Sequence, residues 1–161
     1  MKIGVISDTH DNMPLVKKAV GAFNEAGVSQ VLHAGDMVSP FVRQAFEGLK
    51  APMLYVFGNN EGEIAGTYKL FKGFAEVQSG PVVREFGGRR VYLNHEPHCL
   101  ESLAKSGDFD IIIYGHTHNI DVRTVGHTLI VNPGECCGYL TGHSTVAIVD
   151  TEKMSAEIIP L

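Results

Sequence analysis

Five short apolar runs in this chain end in the same way, and that recurrence limits the folds open to it. Lys2 to Ile6 stops at Ser7-Asp8-Thr9-His10, and Gln30 to His33 stops at Gly35-Asp36. Met53 to Phe57 gives way to Gly58-Asn59, Val91 to Leu93 to Asn94-His95, and Asp110 to Tyr114 to Gly115-His116-Thr117-His118. Short β-branched and apolar runs bounded by turn formers predict buried strands. Helical signals lie between the first three. Pro14 suits a first helical turn, Leu15, Val16, Ala19, Val20 and Phe23 recur at helical spacing, and Gly27 stops the run. Ser39-Pro40 opens a second, short helix to about Phe46. Strand–helix–strand–helix–strand predicts a parallel sheet with crossover helices. The carboxyl ends of such strands share one edge, where ligands bind. Asp8, His10, Asp36, Asn59, His95, His116 and His118 therefore head for one place.

The rest of the chain is rich in strands. Tyr68, Leu70, Phe71 and Phe74 suggest one face of a helix or irregular segment. Val82 to Phe86 and Arg89 to Leu93 flank Gly87-Gly88 as a hairpin. Leu100 to Lys105 reads as a short helix stopped by Gly107. Asp121 to Val125, Thr128 to Val131, Thr145 to Asp150 and Ser155 to Ile159 read as strands. With no linker or repeat, the 161 residues are expected to form a single domain, 1–161. The expected architecture is α/β in its first half, a β-sandwich with helices on its outer faces.

Charge and composition exclude several partners. A net charge of -5 offers no basic face for a nucleic-acid backbone, and Arg89-Arg90 is too short to be a patch. Three cysteines make an odd number, against a secreted disulfide framework. No apolar stretch is long enough for a membrane span. Met1 runs straight into a strand without a signal peptide, so a cytoplasmic protein is expected.

Singly, Asp8, Asp36 and Asn59 are ordinary turn residues, and His95 an ordinary polar one. Turn formation does not explain histidines at both 116 and 118. Taken together, the seven complete two four-ligand shells if Asp36 is shared between them. Oxygen and imidazole donors without thiolate suit manganese, iron, zinc or nickel better than calcium or a structural zinc site. Two such ions about 3.5–4 Å apart can hold a hydroxide and clamp an in-line displacement at phosphorus. Only two of the seven ligands, Asp8 and Asp36, are anionic, and the surplus positive charge would attract an anion.

Asp8-Thr9-His10, Gly35-Asp36, Gly58-Asn59-Asn60-Glu61, His95 and Gly115-His116-Thr117-His118 resemble the five ordered motifs of the calcineurin-like metallophosphoesterases. The likeness is to their small YfcE-like phosphodiesterase branch, and it runs from residue 8 to Asn132-Pro133-Gly134. It implies a four-layer sandwich of two packed mixed β-sheets flanked by helices. It implies a first metal on Asp8, His10, Asp36 and His118, and a second on Asp36, Asn59, His95 and His116, with manganese foremost. The implied activity is hydrolysis of small phosphodiesters by a hydroxide bridging the two ions; similar proteins are often dimers or tetramers, and the oligomeric state of this chain stays open. Loss of catalysis in favour of an interaction scaffold, as in the retromer subunit of this fold, would show as missing histidine ligands, and none is missing.

The chain departs from the family pattern in places. Asn60 stands where many relatives have histidine; it can donate a hydrogen bond to a departing oxygen but not a proton, which predicts a preference for good leaving groups. His95-Glu96-Pro97-His98 replaces His-Gly-His, and Glu135 replaces a serine. If Glu96 and Glu135 face the site, they should disfavour dianionic monoesters. The expected catalytic set is thus Asp36, Asn60, His95 and His98, the last more readily explained as a surface residue. His33 is expected to be packed or hydrogen-bonded, His127 solvated, His143 solvated or turned to substrate, Phe71 and Phe74 in the core or at an interface, and Cys136-Cys137 packed as small side chains.

Overall fold

Alternation along the first strand, β1 (Lys2–Ile6), sets up the layers. Ile3 and Val5 enter one buried cluster and Ile6 another, so the strand is apolar on both faces and must be covered on both. The computed structural model, covering residues 1–161, shows what covers it. One sheet has the order β11-β10-β1-β2-β3-β4. Here β2 is Gln30–His33, β3 Met53–Val56, β4 Ala75–Gln78, β10 Thr145–Asp150 and β11 Ser155–Pro160. Strands β1 to β4 run parallel, and β10 joins β1 antiparallel. The second sheet has the order β5-β6-β7-β9-β8, where β5 is Val82–Phe86, β6 Arg89–Leu93, β7 Ile111–Ile113, β8 Ile120–Val125 and β9 Thr128–Pro133. Its three central strands are parallel and its two edges antiparallel.

The inner faces of both sheets share a core of Ile3, Val5, Leu32 and Leu54 against Leu93, Ile111, Ile113 and Val131. On the outside of the first sheet lies α1 (Met13–Ala26), seated by Val16, Ala19, Val20 and Phe23. Each large apolar side chain so buried contributes roughly 1.5–3 kcal/mol. The helix starts where Asn12 Oδ1 accepts the Leu15 amide, with Pro14 in its first turn. Beside it lie a 3-10 helix (Pro40–Phe46) and α2 (Ile64–Phe71). Ala104 of α3 (Leu100–Ser106) packs on Ile112 and Ile130, outside the second sheet. The result is the expected four layers of two mixed sheets between helices. No helix is long and apolar enough to cross a membrane.

Two local expectations differ. Strand β4 has no clear sequence signal, because Ala75-Glu76-Val77-Gln78 carries polar residues on a half-exposed edge; its pairing with β3 forms it. In α2 the covered positions are Thr67 and Phe71, while Tyr68 and Leu70 remain about half exposed.

Candidate metal centre

The loops after β1, β2 and β3 of one sheet and after β6 and β7 of the other meet at one end of the sandwich. They are tied directly to each other. The Asp8 amide donates to Gly35 O (3.0 Å), the Thr9 amide to Asp36 O (3.0 Å), the Gly115 amide to His95 O (3.0 Å) and the Cys137 amide to Asp8 O (3.0 Å). Contact is so close that a Cβ on Gly58 would overlap Asp36 Oδ1, and one on Gly35 would overlap the His95 ring. Nine non-glycine residues have positive φ, and Asp8, His10, Asp11, Asp36, Val38, His116 and His118 are seven of them. Each such residue costs about 1–3 kcal/mol, so the cost of this backbone is concentrated where the polar side chains converge.

All seven ligand candidates come together, in two groups that share Asp36. In the first, His10 Nε2 lies 3.5 Å from Asp36 Oδ2 and 3.8 Å from Asp8 Oδ1, and His118 Nε2 lies 3.4 Å from Asp8 Oδ1. In the second, His95 Nε2 lies 3.3 Å from Asp36 Oδ1 and 3.0 Å from Asn59 Oδ1, and His116 Nδ1 lies 2.8 Å from Asn59 Oδ1. The two carboxylate oxygens of Asp36 thus face different groups. Donor atoms bound about 2.0–2.2 Å from one ion sit roughly 2.8–3.6 Å apart, and the spacings fit except for His10 Nε2 to Asp8 Oδ1, which at 3.8 Å is slightly longer.

Proton placement sharpens the case for cations. His95 Nδ1 lies 2.7 Å from Ala34 O, which can only accept, so Nδ1 holds the proton and Nε2 presents a lone pair. That lone pair faces oxygen lone pairs on Asn59 and Asp36. His118 repeats the arrangement, since its Nδ1 donates to Glu135 Oε2 at 2.7 Å and its Nε2 faces Asp8. Asp8 Oδ1 and His10 Nε2 are buried with no hydrogen-bond partner. Acceptors facing acceptors in a buried site require a positive charge between them. Protons can supply part of it. The Asp8 carboxylate, joined by Asp36, raises the His10 pKa. Burial opposes charge on His95, but Asp36 outweighs it and raises that pKa too. Burial likewise opposes charge on Asp36, yet His95 and Asn60 hold its carboxyl well below the usual range. Divalent cations meet the same demand with better geometry.

A second ring of residues fixes the first. Glu61 accepts from the amides of Asp36 (2.9 Å), Met37 (3.3 Å), Val38 (3.2 Å) and Gly58 (2.9 Å), pinning the β2 loop to the β3 loop. His33 is fully buried, takes the Gly35 amide on Nδ1 (3.2 Å) and lies 3.2 Å from Thr9 Oγ1 through Nε2. The Glu61 role went unread in the sequence, although a carboxylate three residues after a glycine turn is a detectable signal for it; His33 is buried and hydrogen-bonded, within what its place at a strand end leads one to expect.

Three of the expected residues take the following places. Asn60 gives one amide N–H to Asp36 Oδ2 (2.8 Å) and its backbone N–H to Asp36 Oδ1 (2.9 Å), because its turn wraps that carboxylate; it holds Asp36 and keeps a second amide N–H. Glu135 is fully buried, its oxygens taken by His118, Leu140 N, Thr141 N, Thr141 Oγ1 and Cys137 Sγ. Burial works against its ionisation, but those donors lower its pKa to about 2. It braces His118 and does not face substrate. His98 is largely exposed and paired with Glu96 at the edge of the site. As expected, Cys136 and Cys137 are buried, Phe71 is in the core, and His127 is exposed. His143 borders a cavity that His118 also lines. Size alone would mislead here: a larger cavity of about 470 Å³, at the opposite ends of the strands near Met53 and Arg84, holds none of these groups.

Comparison with known proteins shows the family and the fold. Residues 1–154 match the model of the calcineurin-like phosphoesterase superfamily domain. The chain is 42% identical over 160 residues to a phosphodiesterase of Methanocaldococcus jannaschii, covering 95% of each. It is 36% identical over 167 residues to a probable metallophosphoesterase of Methanothermobacter thermautotrophicus, covering 99% of this chain and 92% of the other. Among solved structures, an archaeal phosphodiesterase superposes over 100% of both chains with a TM-score of 0.94 and 41% identity. The Escherichia coli phosphoesterase YfcE shares the fold, with a TM-score of 0.72 at 17% identity over 99% of this chain and 98% of that one.

Proposed function

Because the chain belongs to the calcineurin-like phosphoesterase superfamily, we propose that it hydrolyses phosphodiesters at two divalent metal ions sharing Asp36. The observation that carries this reading is the division of labour at that carboxylate: Oδ2 faces His10 and Oδ1 faces His95, each within a separate group of acceptors. Asp8, His10, Asp36 and His118 are assigned to one ion, and Asp36, Asn59, His95 and His116 to the other. Oxygen and imidazole donors favour manganese, with iron, zinc and nickel as alternatives. Bound there, the ions would supply Lewis acidity and a water made acidic enough to attack near neutral pH.

The protein's own part is to hold donors in place before substrate arrives. Ala34 O and Glu135 fix the tautomers of His95 and His118, so each offers Nε2. Asn60 holds both oxygens of Asp36 and prevents the carboxylate from rotating away from either group. With only Asp8 and Asp36 anionic in the ligand set, the loaded centre is positive and attracts a phosphoryl group. His98, exposed beside His95, remains a candidate donor to a departing oxygen. A cytoplasmic setting belongs to the same reading and is supported by three free cysteines, one of them exposed.

The test is bound metal and hydrolysis of an aryl phosphodiester, measured for wild type and Asp36→Asn. Loss of both in the variant is expected. A metal-loaded wild type that turns over no phosphate ester would overturn the reading, as would an Asp36→Asn protein retaining both metal and activity.

A further inference from the structure

Two cavities flank the metal centre, one beside each group of ligands. His118 lines a cavity of about 170 Å³ with Asn119, Thr141 and His143. His95 lines another of about 300 Å³ with Phe57, Ser79, Asn94, Glu96 and His98. Because His118 and His95 belong to opposite groups across Asp36, a phosphoryl group at the centre has one cavity on either side. A monoester has a single arm to place, and a diester has two. We propose that the two cavities seat the two ester arms, and that the larger one takes an uncharged, hydrogen-bonding group of nucleoside size. This rests on the phosphodiesterase reading above and adds the chemical class of one arm.

Size and chemistry both point that way. Small-molecule sites begin at roughly 300 Å³, so the larger cavity can enclose a nucleoside and the smaller only a compact group. Its apolar walls are Pro81 and Phe57, whose ring is held edge-on by Tyr68 at 5.3 Å. Most of the other walls are polar. Asn94 spends its Nδ2 on Glu96 O at 3.0 Å, leaving Oδ1 to accept from a ligand N–H or O–H. The hydroxyl of Ser79 can donate or accept. The Glu96 carboxylate, paired with His98 at the rim, disfavours an arm that carries its own phosphate or carboxylate. A heterocycle and sugar meet these demands; a second phosphate does not.

The experiment compares ligands that differ only in that arm, on the manganese-loaded protein with metal content verified. Adenosine 5′-monophosphate is expected to bind at least about tenfold tighter than methyl phosphate by calorimetry. Ser79→Trp, which fills the cavity, should bring that ratio towards one. Glu96→Gln should selectively improve binding of adenosine 3′,5′-bisphosphate, by about tenfold, and keeps the test alive if the tryptophan variant misfolds. Equal binding of the two phosphates by wild type sinks the proposal, as does a ratio unmoved in a folded Ser79→Trp protein or no gain in Glu96→Gln. The same ratio is then read as kcat/KM for nucleoside and methyl 4-nitrophenyl phosphates. A binding ratio without turnover of either ester keeps the arm assignment and refutes the phosphodiesterase reading; turnover with a ratio of one does the reverse.

Discussion

The two halves of the metal centre use similar side chains but are braced by opposite means. Around His10 and His118 the supporting charge is negative: Asp8 lies 3.4 Å from His118 Nε2, and Glu135 holds the other ring nitrogen at 2.7 Å. Around His95 and His116 the support is neutral, from the Ala34 carbonyl and the Asn59 amide. Burial does not separate the halves: the His95 side chain is 2% exposed, against 20% for His10 and 12% for His118, yet His116 and Asn59 are exposed and Asp8 is fully buried. The first half is therefore built on charged support and the second on neutral support, joined at one carboxylate. A cation in the first half gains two more nearby carboxylates than one in the second. The first ion is expected to bind more tightly and the second to leave first under a chelator.

The largest effect that can break this comparison is at Asp8. Asp8→Asn removes the anionic ligand of the first half while keeping its shape, and should cost about 10³-fold in turnover, as losing several kcal/mol of Lewis-acid stabilisation does. Metal analysis should find the first ion gone. Asn59→Ala, by contrast, should empty only the second half. If both variants lose the same ion, the halves are not distinct.

Glu135 sharpens the comparison without touching a ligand atom. Glu135→Gln keeps the volume but weakens the hold on His118 Nδ1, and should lower affinity for the first ion by about 10–100-fold. Competition with a fluorescent chelator would resolve the two steps. A uniform weakening of both ions would place the role of Glu135 in folding, not in bracing His118.

These braces mark the limit of what the sequence discloses. The ligands were legible because each follows a strand whose apolar run is visible, and parallel strands bring their carboxyl ends to one edge. The four layers were legible for a related reason: runs such as Ile111–Ile113 are apolar on both faces and need cover on both. Second-ring contacts were not. Glu135 reads as an extra charge at the site, yet five donors surround it, and four of them come from a turn whose shape no local pattern specifies. Asn60 reads as a free donor because only the folded turn brings Asp36 to it. Strand β4 escaped because its partner, not its composition, makes it a strand.

His33 supports the first half from below and gives a pH test. It joins the Thr9 hydroxyl to the Gly35 amide, and burial lowers its pKa from 6.5 to about 3. The native protein keeps it neutral, while the unfolded chain takes up a proton below about pH 6.5. Stability should therefore fall with acidity between those values, and this residue alone should contribute about 2 kcal/mol of loss between pH 6.5 and 5. His33→Gln, though less stable at pH 7, should show a shallower acid limb by one proton in urea unfolding. Parallel limbs would mean that His33 is already protonated in the folded state.

The smallest effect is expected at Cys137, the one feature of the first half with no counterpart in the second. Its Sγ donates to Glu135 Oε2 at 3.1 Å, and with His10 and His118 it forms a group of ligand-type atoms within 4.8 Å of one another. That invites a third-ligand reading, but the buried thiol would have to lose its proton to bind an ion. Burial pushes its pKa up to about 12, so at neutral pH it is a protonated donor to Glu135, not a thiolate. Serine also donates, so Cys137→Ser should change affinity for a manganese ion in the first half by less than about threefold. Cadmium supplies the contrast, because a soft ion would reward sulfur over oxygen. If the substitution weakens cadmium no more than manganese, Cys137 acts only through Glu135. A selective loss of cadmium would make the sulfur a ligand, and the first half would then be softer as well as more negative than the second.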